Sequence, residues 1–175
     1  MGPVKYVINA SYLHPIIPLN KMGKYADDSY LMIPSINSGE ITTELEHIAR
    51  WAAANNLTLN ATKTKEMVIY RPRGKKCNPP PPASGITRVE NMNVLGVTLH
   101  GNLSVREHVE KIVSKCSQGA FALRTLKAHG LNGAPLWQVA EATLVSAATY
   151  ASQAWWGLTD AGCRQQLDQM IHRLV

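Results

Sequence analysis

The chain has 175 residues, of which 45% are hydrophobic and 17% charged, and 18 Lys and Arg against 12 Asp and Glu give a formal net charge of +6. This composition excludes an intrinsically disordered polymer, and the length provides one sizeable domain or two small ones. The positive charge favours a polyanionic partner, although a solvated basic surface explains it equally well.

Cysteine spacing and hydropathy exclude two further classes of protein. Cys77, Cys116 and Cys163 are isolated thiols without a Cys-x-x-Cys pair, so neither a disulfide framework nor a structural zinc site is expected. No stretch approaches the roughly 18 apolar residues that cross a bilayer, and the first residues lack a charged segment followed by a long apolar run. The sequence predicts an intracellular protein of the nucleus or cytoplasm, neither secreted nor membrane-spanning.

The first predicted elements are a hairpin and a helix. Residues 23–34 form two short extended arms with Asp27 and Asp28 between them, which indicates a β-hairpin. A helix is predicted from Ser38 as N-cap to Asn55 and Asn56. Its apolar stripe is Ile41, Leu45, Ile48 and Ala52, with Trp51 alongside.

Two strands are predicted in the middle of the chain. Residues 67–70 are apolar or aromatic, and residues 94–99 form a second strand in which Gly96 fits a bulge or a close backbone approach. Between them lies a loop with Gly74 and the proline run 79–82, which separates two halves of the chain.

The remainder is predicted to be helical. Ser104 and Glu107 form a capping box that opens a helix, and Gly130 is its C-cap. The apolar face of this helix is Val105, Val109, Ile112, Val113, Cys116, Ala120 and Leu123. A second helix is predicted from Pro135 to a stop at Gly157, and a third over residues 160–174.

The adjacent aspartates are the strongest chemical signal. Carboxylates on a tight, exposed turn provide the oxygen ligands that a hard cation such as magnesium requires. Asp-Asp also occurs in ordinary turns, because aspartate accepts local amide hydrogen bonds. For an isolated pair, the ordinary turn is the more frequent explanation.

The residues around this pair favour the functional explanation. Lys24-Tyr25-Ala26-Asp27-Asp28-Ser29-Tyr30-Leu31 closely resembles the Tyr-x-Asp-Asp motif of reverse transcriptases of LINE-type non-LTR retrotransposons. Trp51 and residues 55–64 resemble the next palm motif of that family, and residues 94–99 resemble its primer-grip hairpin. Tyr150 and the Trp155-Trp156-Gly157 ending are similar to the thumb and connecting region that follows.

The resemblance implies an α+β fold made of two parts. Residues 1–100 would be a partial polymerase palm, a β-hairpin plus strands packed by a helix, and residues 101–175 a helical thumb-like bundle. The implied activity is RNA-directed DNA polymerisation by two-metal nucleotidyl transfer in the full-length protein. Its partners would be an RNA template, a DNA primer and deoxynucleoside triphosphates, with Mg²⁺, or Mn²⁺ as the alternative, as cofactor.

The resemblance also assigns roles to individual residues. Asp27 would ligate the catalytic metals, Asp28 would assist the metal site or the turn, and Lys63 would lie near the leaving pyrophosphate. The residues expected to contact nucleic acid are Tyr25, Lys65, Arg71, Arg73, Lys75, Lys76, Leu95, Gly96 and Val97. A solvated loop explains the basic residues equally well, and a plain buried strand explains the last three.

The sequence departs from the family before the acidic turn. Reverse transcriptases supply another metal-binding aspartate and the fingers upstream, and neither precedes Asp27. We therefore expect metal binding only where that aspartate is supplied, no polymerase activity in this chain alone, and open strand edges that favour self-association. The alternatives are an inactive remnant that only binds nucleic acid and an unrelated basic helical interaction domain.

Overall fold

The structure of the protein is a computed structural model that describes residues 11–71, 79–83 and 85–174. Helices and strands are mixed, which confirms the α+β class. The described residues within Met1–Glu66 and Lys76–Arg88 form a first compact unit, and those within Met67–Lys75 and Val89–Val175 form a second. The predicted boundary between palm and thumb after residue 100 remains a prediction.

The predicted hairpin is confirmed in the first unit. Strand β1 (Lys21–Tyr25) pairs antiparallel with β2 (Asp28–Met32), and Tyr25 lies opposite Asp28. Ala26 and Asp27 alone make the turn, with Ala26 at a φ of +50°. Positive φ in a two-residue turn matches the right-handed twist of paired strands.

Helix α1 (Ile41–Ala54) follows a 3-10 helix at Ser35–Glu40. The prediction of Ser38 as N-cap is wrong, because Ser38 already lies in the 3-10 helix and Glu40 precedes the α-helix without a side-chain cap. The predicted end is confirmed, since the amide of Asn55 donates to the carbonyls of Trp51 and Ala52 at 3.2 and 3.0 Å.

The strand predicted at residues 67–70 is wrong. Strand β3 is Lys65–Glu66, and it pairs in parallel with β4 (Thr87–Arg88). The Glu66 carboxylate accepts from Arg88 and from the Ala83 amide, so local polar contacts hold this short ladder. Beyond Glu66 the chain enters the second unit, where the Tyr70 amide bonds to the Gly101 carbonyl at 2.9 Å outside any strand.

The second unit begins with another hairpin. Strand β5 (Asn91–Val94) pairs antiparallel with β6 (Val97–His100) across a turn of Leu95 and Gly96. The prediction of one continuous strand over residues 94–99 is therefore wrong, and of the two alternatives predicted for Gly96 the bulge is wrong, whereas a close approach to this glycine is found. The chain reverses here because the Asn93 side chain accepts from the Gly96 amide at 2.9 Å and glycine tolerates the φ of +85°.

Helix α2 (Arg106–Ala128) packs against this hairpin. The predicted capping box does not form as a reciprocal pair, so this prediction is wrong. The Ser104 hydroxyl accepts from the Arg106 amide at 3.3 Å, whereas the Glu107 carboxylate accepts from the Asn91 side chain. The predicted end is confirmed, because Gly130 follows the helix at a φ of +94°.

The region after Gly130 is more broken than predicted. It comprises α3 (Ala134–Ala140), a π-helical turn (Glu141–Val145), α4 (Ser146–Thr149), α5 (Ser152–Trp155), a 3-10 turn (Trp156–Leu158) and α6 (Ala161–Leu174). The continuous helix to Gly157 is wrong, because Tyr150 has a ψ of 122° and Ala151 a φ of +49°. The last helix is confirmed, and Asp160 begins it by accepting from the Cys163 amide at 2.7 Å.

The core of the second unit confirms the predicted face of α2. Each fully buried aliphatic side chain contributes about 1.5–3 kcal/mol to folding. The buried cluster comprises Val97, Val105, Val109, Ile112, Cys116, Leu144, Trp155, Cys163, Leu167 and Met170. Val113, Ala120 and Leu123 pack against it. Within the described ranges, no helix has the length and apolar character needed to cross a membrane.

Candidate functional site

The acidic turn presents its carboxylates to solvent. Asp27 is the second residue of the two-residue turn and Asp28 opens β2, and both side chains are exposed. Tyr25, the last residue of β1, is 65% exposed. The hairpin therefore carries three of the predicted site residues on one accessible tip, where carboxylate oxygens can reach a cation or a polar partner.

Lys24 ties the hairpin to the segment before it. The Lys24 ammonium donates to the carbonyl of Leu13, a buried residue. Burial lowers the pKa of the Lys24 ammonium. The lysine beside the acidic turn therefore makes a structural contact with this carbonyl.

Glu44 of α1 anchors the same segment. Its side chain is fully buried, and its carboxylate accepts from the amides of Ile17 at 2.7 Å and Ile16 at 3.3 Å and from the Asn20 side chain at 3.0 Å. Asn20 in turn accepts from the Asn37 amide group at 2.9 Å. These contacts fix the chain that leads into β1.

Glu44 was not among the residues predicted to form the site. Only its position could have identified it from the sequence. Glu44 lies three residues after Ile41 and four before Ile48, on the apolar face of the helix. A charged residue at such a position indicates a buried partner, since an unpaired charge would be costly there.

Lys63 lies on a turn organised by Asn60. The Asn60 side-chain oxygen accepts from the Lys63 amide at 3.1 Å and from the Thr62 hydroxyl at 2.7 Å, and its carbonyl accepts from the Thr64 amide at 3.0 Å. The Lys63 side chain is exposed. Asn60 therefore sets the backbone that carries this lysine, as asparagine commonly does in turns.

The predicted basic segment comprises the residues expected to contact phosphates, namely Lys65, Arg71, Arg73, Lys75 and Lys76, and only part of it lies within the described residues. Lys65 and Arg71 have exposed side chains. Arg73, Lys75 and Lys76 lie outside the described residues. Arg88 is engaged within the protein, because its guanidinium forms an ion pair with Glu66, including an Nε–Oε1 hydrogen bond of 2.7 Å.

The three residues of the second hairpin that were expected to contact the primer differ in exposure. Leu95 is 40% exposed and Gly96 is exposed, whereas Val97 is 7% exposed and belongs to the hydrophobic core. The close approach at Gly96 is made by Tyr150, whose ring atom Cε1 would lie 2.9 Å from a Cβ added there. The Tyr150 hydroxyl donates to the Leu95 carbonyl at 3.1 Å.

The metal-binding capacity of the acidic turn is limited. Across residues 11–71, 79–83 and 85–174, no group of three or more His, Cys, Asp or Glu side chains is placed to hold an ion. Magnesium demands near-octahedral oxygen coordination, so Asp27 and Asp28 together supply only part of a ligand set. The residues described here do not make a complete metal centre, and a magnesium or manganese cofactor remains a prediction that depends on another carboxylate.

Comparison with known proteins gave no relatives. No protein-family model, no curated protein and no solved structure matches this chain.

Proposed function

We propose that this chain is part of an RNA-directed DNA polymerase of the LINE type. The observation that carries the proposal is the place of Asp27 in a two-residue turn between antiparallel strands, with the Asp28 carboxylate beside it and both exposed. This is the geometry expected for the Tyr-x-Asp-Asp motif, whose carboxylates must project from a rigid bend. An aspartate pair inside a continuous helix would have been incompatible with it.

The proposed architecture is a partial palm followed by a thumb-like region. Residues 1–100 would contribute the acidic hairpin, α1 and the second hairpin, and residues 101–175 the helices. The order of these elements along the chain agrees with the order of the resembling motifs. The acidic motif lies in the first hairpin, Trp51 lies in the helix that follows, and residues 94–99 lie in the second hairpin, and this order supports the proposal.

In the full-length enzyme, two metal ions would activate the primer hydroxyl and stabilise the leaving pyrophosphate. This chain would contribute carboxylate oxygens of Asp27 and Asp28, and Lys63 would offset charge near the leaving group. Because the ligand set is incomplete, we expect no nucleotidyl transfer by the chain alone. Binding of a primer–template duplex is the activity expected of it.

A second candidate function is nucleic-acid binding without catalysis, as in an inactive remnant. The net charge of +6 and the exposed side chains of Lys63, Lys65 and Arg71 favour it. Lysine and arginine neutralise backbone phosphates and release counterions, so the affinity of such a protein falls as salt increases. Both candidates predict binding, and only polymerisation separates them.

The binding test is a titration of an RNA template annealed to a DNA primer at several salt concentrations, read by fluorescence anisotropy. We expect the dissociation constant to rise with salt. The variant Lys65→Gln/Arg71→Gln should bind more weakly with a shallower salt slope. The charge-matched control Lys21→Gln/Arg50→Gln changes two exposed cations of the first unit and should bind like the wild type.

The outcomes distinguish three hypotheses: a polymerase, an inactive remnant that binds nucleic acid, and a basic interaction domain. Binding that does not depend on salt, or no binding, would favour a basic interaction domain and contradict the proposal. Equal losses in the variant and the control would assign the affinity to overall charge and not to the predicted segment. Primer extension with magnesium, by a longer polypeptide with an additional aspartate, separates a polymerase from a remnant.

A further inference from the structure

The tip of the β5–β6 hairpin holds a residue in an unfavourable conformation. Leu95 has a φ of +48° and Gly96 a φ of +85°, both in the left-handed region. Glycine adopts this region freely, whereas a bulky side chain such as leucine does so only at a cost in free energy. Such a conformation persists only where surrounding groups hold it.

The side chains of Asn93 and Tyr150 both form hydrogen bonds to the backbone of this turn. Asn93 accepts from the Gly96 amide at 2.9 Å, and the Tyr150 hydroxyl donates to the Leu95 carbonyl at 3.1 Å. The Tyr150 ring also occupies the space beside Gly96, where an added Cβ would lie 2.9 Å from Cε1. Tyr150 thus covers one side of the turn, while Leu95 and Gly96 stay accessible to a partner.

Tyr150 is itself fixed by the core. The indole nitrogen of Trp155, which is 1% exposed, donates to the Tyr150 carbonyl at 2.9 Å. The Trp155 ring packs edge-to-face on His108 with 5.2 Å between centroids, and His108 accepts from the Thr98 amide of β6 at 3.5 Å. These contacts connect Tyr150 to Trp155 in α5, Trp155 to His108 in α2, and His108 to β6 of the same hairpin.

We propose that Tyr150 is a positioning residue that fixes the Leu95–Gly96 turn in the conformation in which it meets a nucleic-acid primer strand. The inference rests on the proposed function, because it assumes that this turn contacts nucleic acid. A turn held in one conformation before binding loses less entropy on binding than a mobile one. Tyr150 therefore raises the affinity by holding the turn in this conformation.

The test uses the full chain with Tyr150→Phe, which removes the hydroxyl and keeps the ring. Amide hydrogen exchange should become about fivefold faster at Gly96 and Val97, the factor expected for the loss of one hydrogen bond. Exchange at Val109 in α2 and the thermal midpoint should hardly change. The matched control is Tyr12→Phe, which removes the hydroxyl of an exposed tyrosine in the other unit.

The second readout is affinity for an RNA–DNA primer–template duplex. Tyr150→Phe should raise the dissociation constant severalfold and leave its salt slope unchanged, because no phosphate contact is lost. Unchanged exchange at the turn, or faster exchange with unaltered affinity, would overturn the positioning role alone. Failure of the wild-type chain to bind the duplex would overturn the proposed function, and this inference with it.

Discussion

The carboxylate of Glu44 lies 2.7 Å from the backbone nitrogen of Ile17, inside the first compact unit. Glu44 belongs to α1, whereas Ile17 belongs to the segment that leads into the acidic hairpin. A fully buried side chain that accepts from two amides and from Asn20 replaces the water that these groups lose on folding. Glu44 therefore accepts three of the hydrogen bonds that hold the chain before β1.

Replacement of Glu44 should destabilise the first unit. Glu44→Ala leaves the partly buried amides of Ile16 and Ile17 and the Asn20 side chain without their acceptor, and we expect a loss of about 1–3 kcal/mol in the free energy of unfolding. Glu44→Gln keeps one acceptor oxygen and should lose less. Urea denaturation followed by circular dichroism measures both. Glu46→Gln, at an exposed position of the same helix, is the control, and equal effects at the two positions would contradict the account.

The contact between Gly119 and Leu144 makes a second prediction. A Cβ added at Gly119 would lie 2.2 Å from Leu144 Cδ2, and Leu144 is held in the core by the π-helical turn. Gly119→Ala should therefore destabilise the second unit by about 1–3 kcal/mol, although alanine favours helices elsewhere.

Two further variants make the Gly119 test specific. Gly157→Ala is the control, because nothing lies within 4 Å of a Cβ added there. In Gly119→Ala/Leu144→Val the shorter side chain relieves the overlap, so the double variant should lose less than the sum of the two single losses. Strict additivity in thermal or urea denaturation would show that the two residues do not meet.

His108 should make stability depend on pH. Burial, and to a smaller extent the charge of Lys111, lower the pKa of the His108 imidazole below its ordinary value of 6.5. The unfolded chain then binds more protons than the folded one as pH falls below 6.5, so the free energy of unfolding decreases in that range. At higher pH, where the imidazole is neutral in both states, this contribution is fully present.

Thermal denaturation at pH 7.5 and 5.5 measures the effect. The wild type should lose stability at pH 5.5, and His108→Gln should lose less between the same two values. His129→Gln, at an exposed position, should keep the wild-type difference. Asp160 does not interfere, because hydrogen bonding to Cys163 lowers its pKa from 3.8 and its contribution is lost only at more acidic pH. An unaltered pH difference in His108→Gln would contradict the assignment.

Local patterns predicted much of the fold. The acidic hairpin, the core face of α2, its end at Gly130 and the last helix follow from turn residues and hydrophobic spacing, and the structure confirms each. These features depend on residues close in sequence, where spacing and propensity act directly.

The errors occurred where distant residues decide the structure. Residues 67–70 do not form the predicted strand, and the parallel ladder lies instead at residues 65–66, where Glu66 bonds to Arg88 and Ala83, 22 and 17 residues away. The helix expected from Pro135 to Gly157 breaks at Tyr150, whose hydroxyl bonds to Leu95, 55 residues away. Sequence spacing carries no signal for such contacts.

For the candidate site, the sequence likewise predicted local features but not the contacts that support them. The exposure of Asp27 and Asp28 on a tight turn agrees with the hairpin pattern. The supporting contacts of Glu44, Asn60 and Tyr150 were not predicted, since each joins its partner through tertiary structure or side-chain geometry. The roles of these residues in binding or catalysis remain predictions.

Primer extension tests the central claim most directly. The assay joins this chain in frame to a segment that supplies the earlier metal-binding aspartate and the fingers, with an RNA template, a DNA primer, deoxynucleoside triphosphates and magnesium. We predict extension that requires magnesium, falls by orders of magnitude in Asp27→Asn, and is absent with this chain alone. Extension that survives Asp27→Asn, or a joined protein that folds and binds the duplex but never extends it, would contradict the assignment of Asp27 as a catalytic metal ligand.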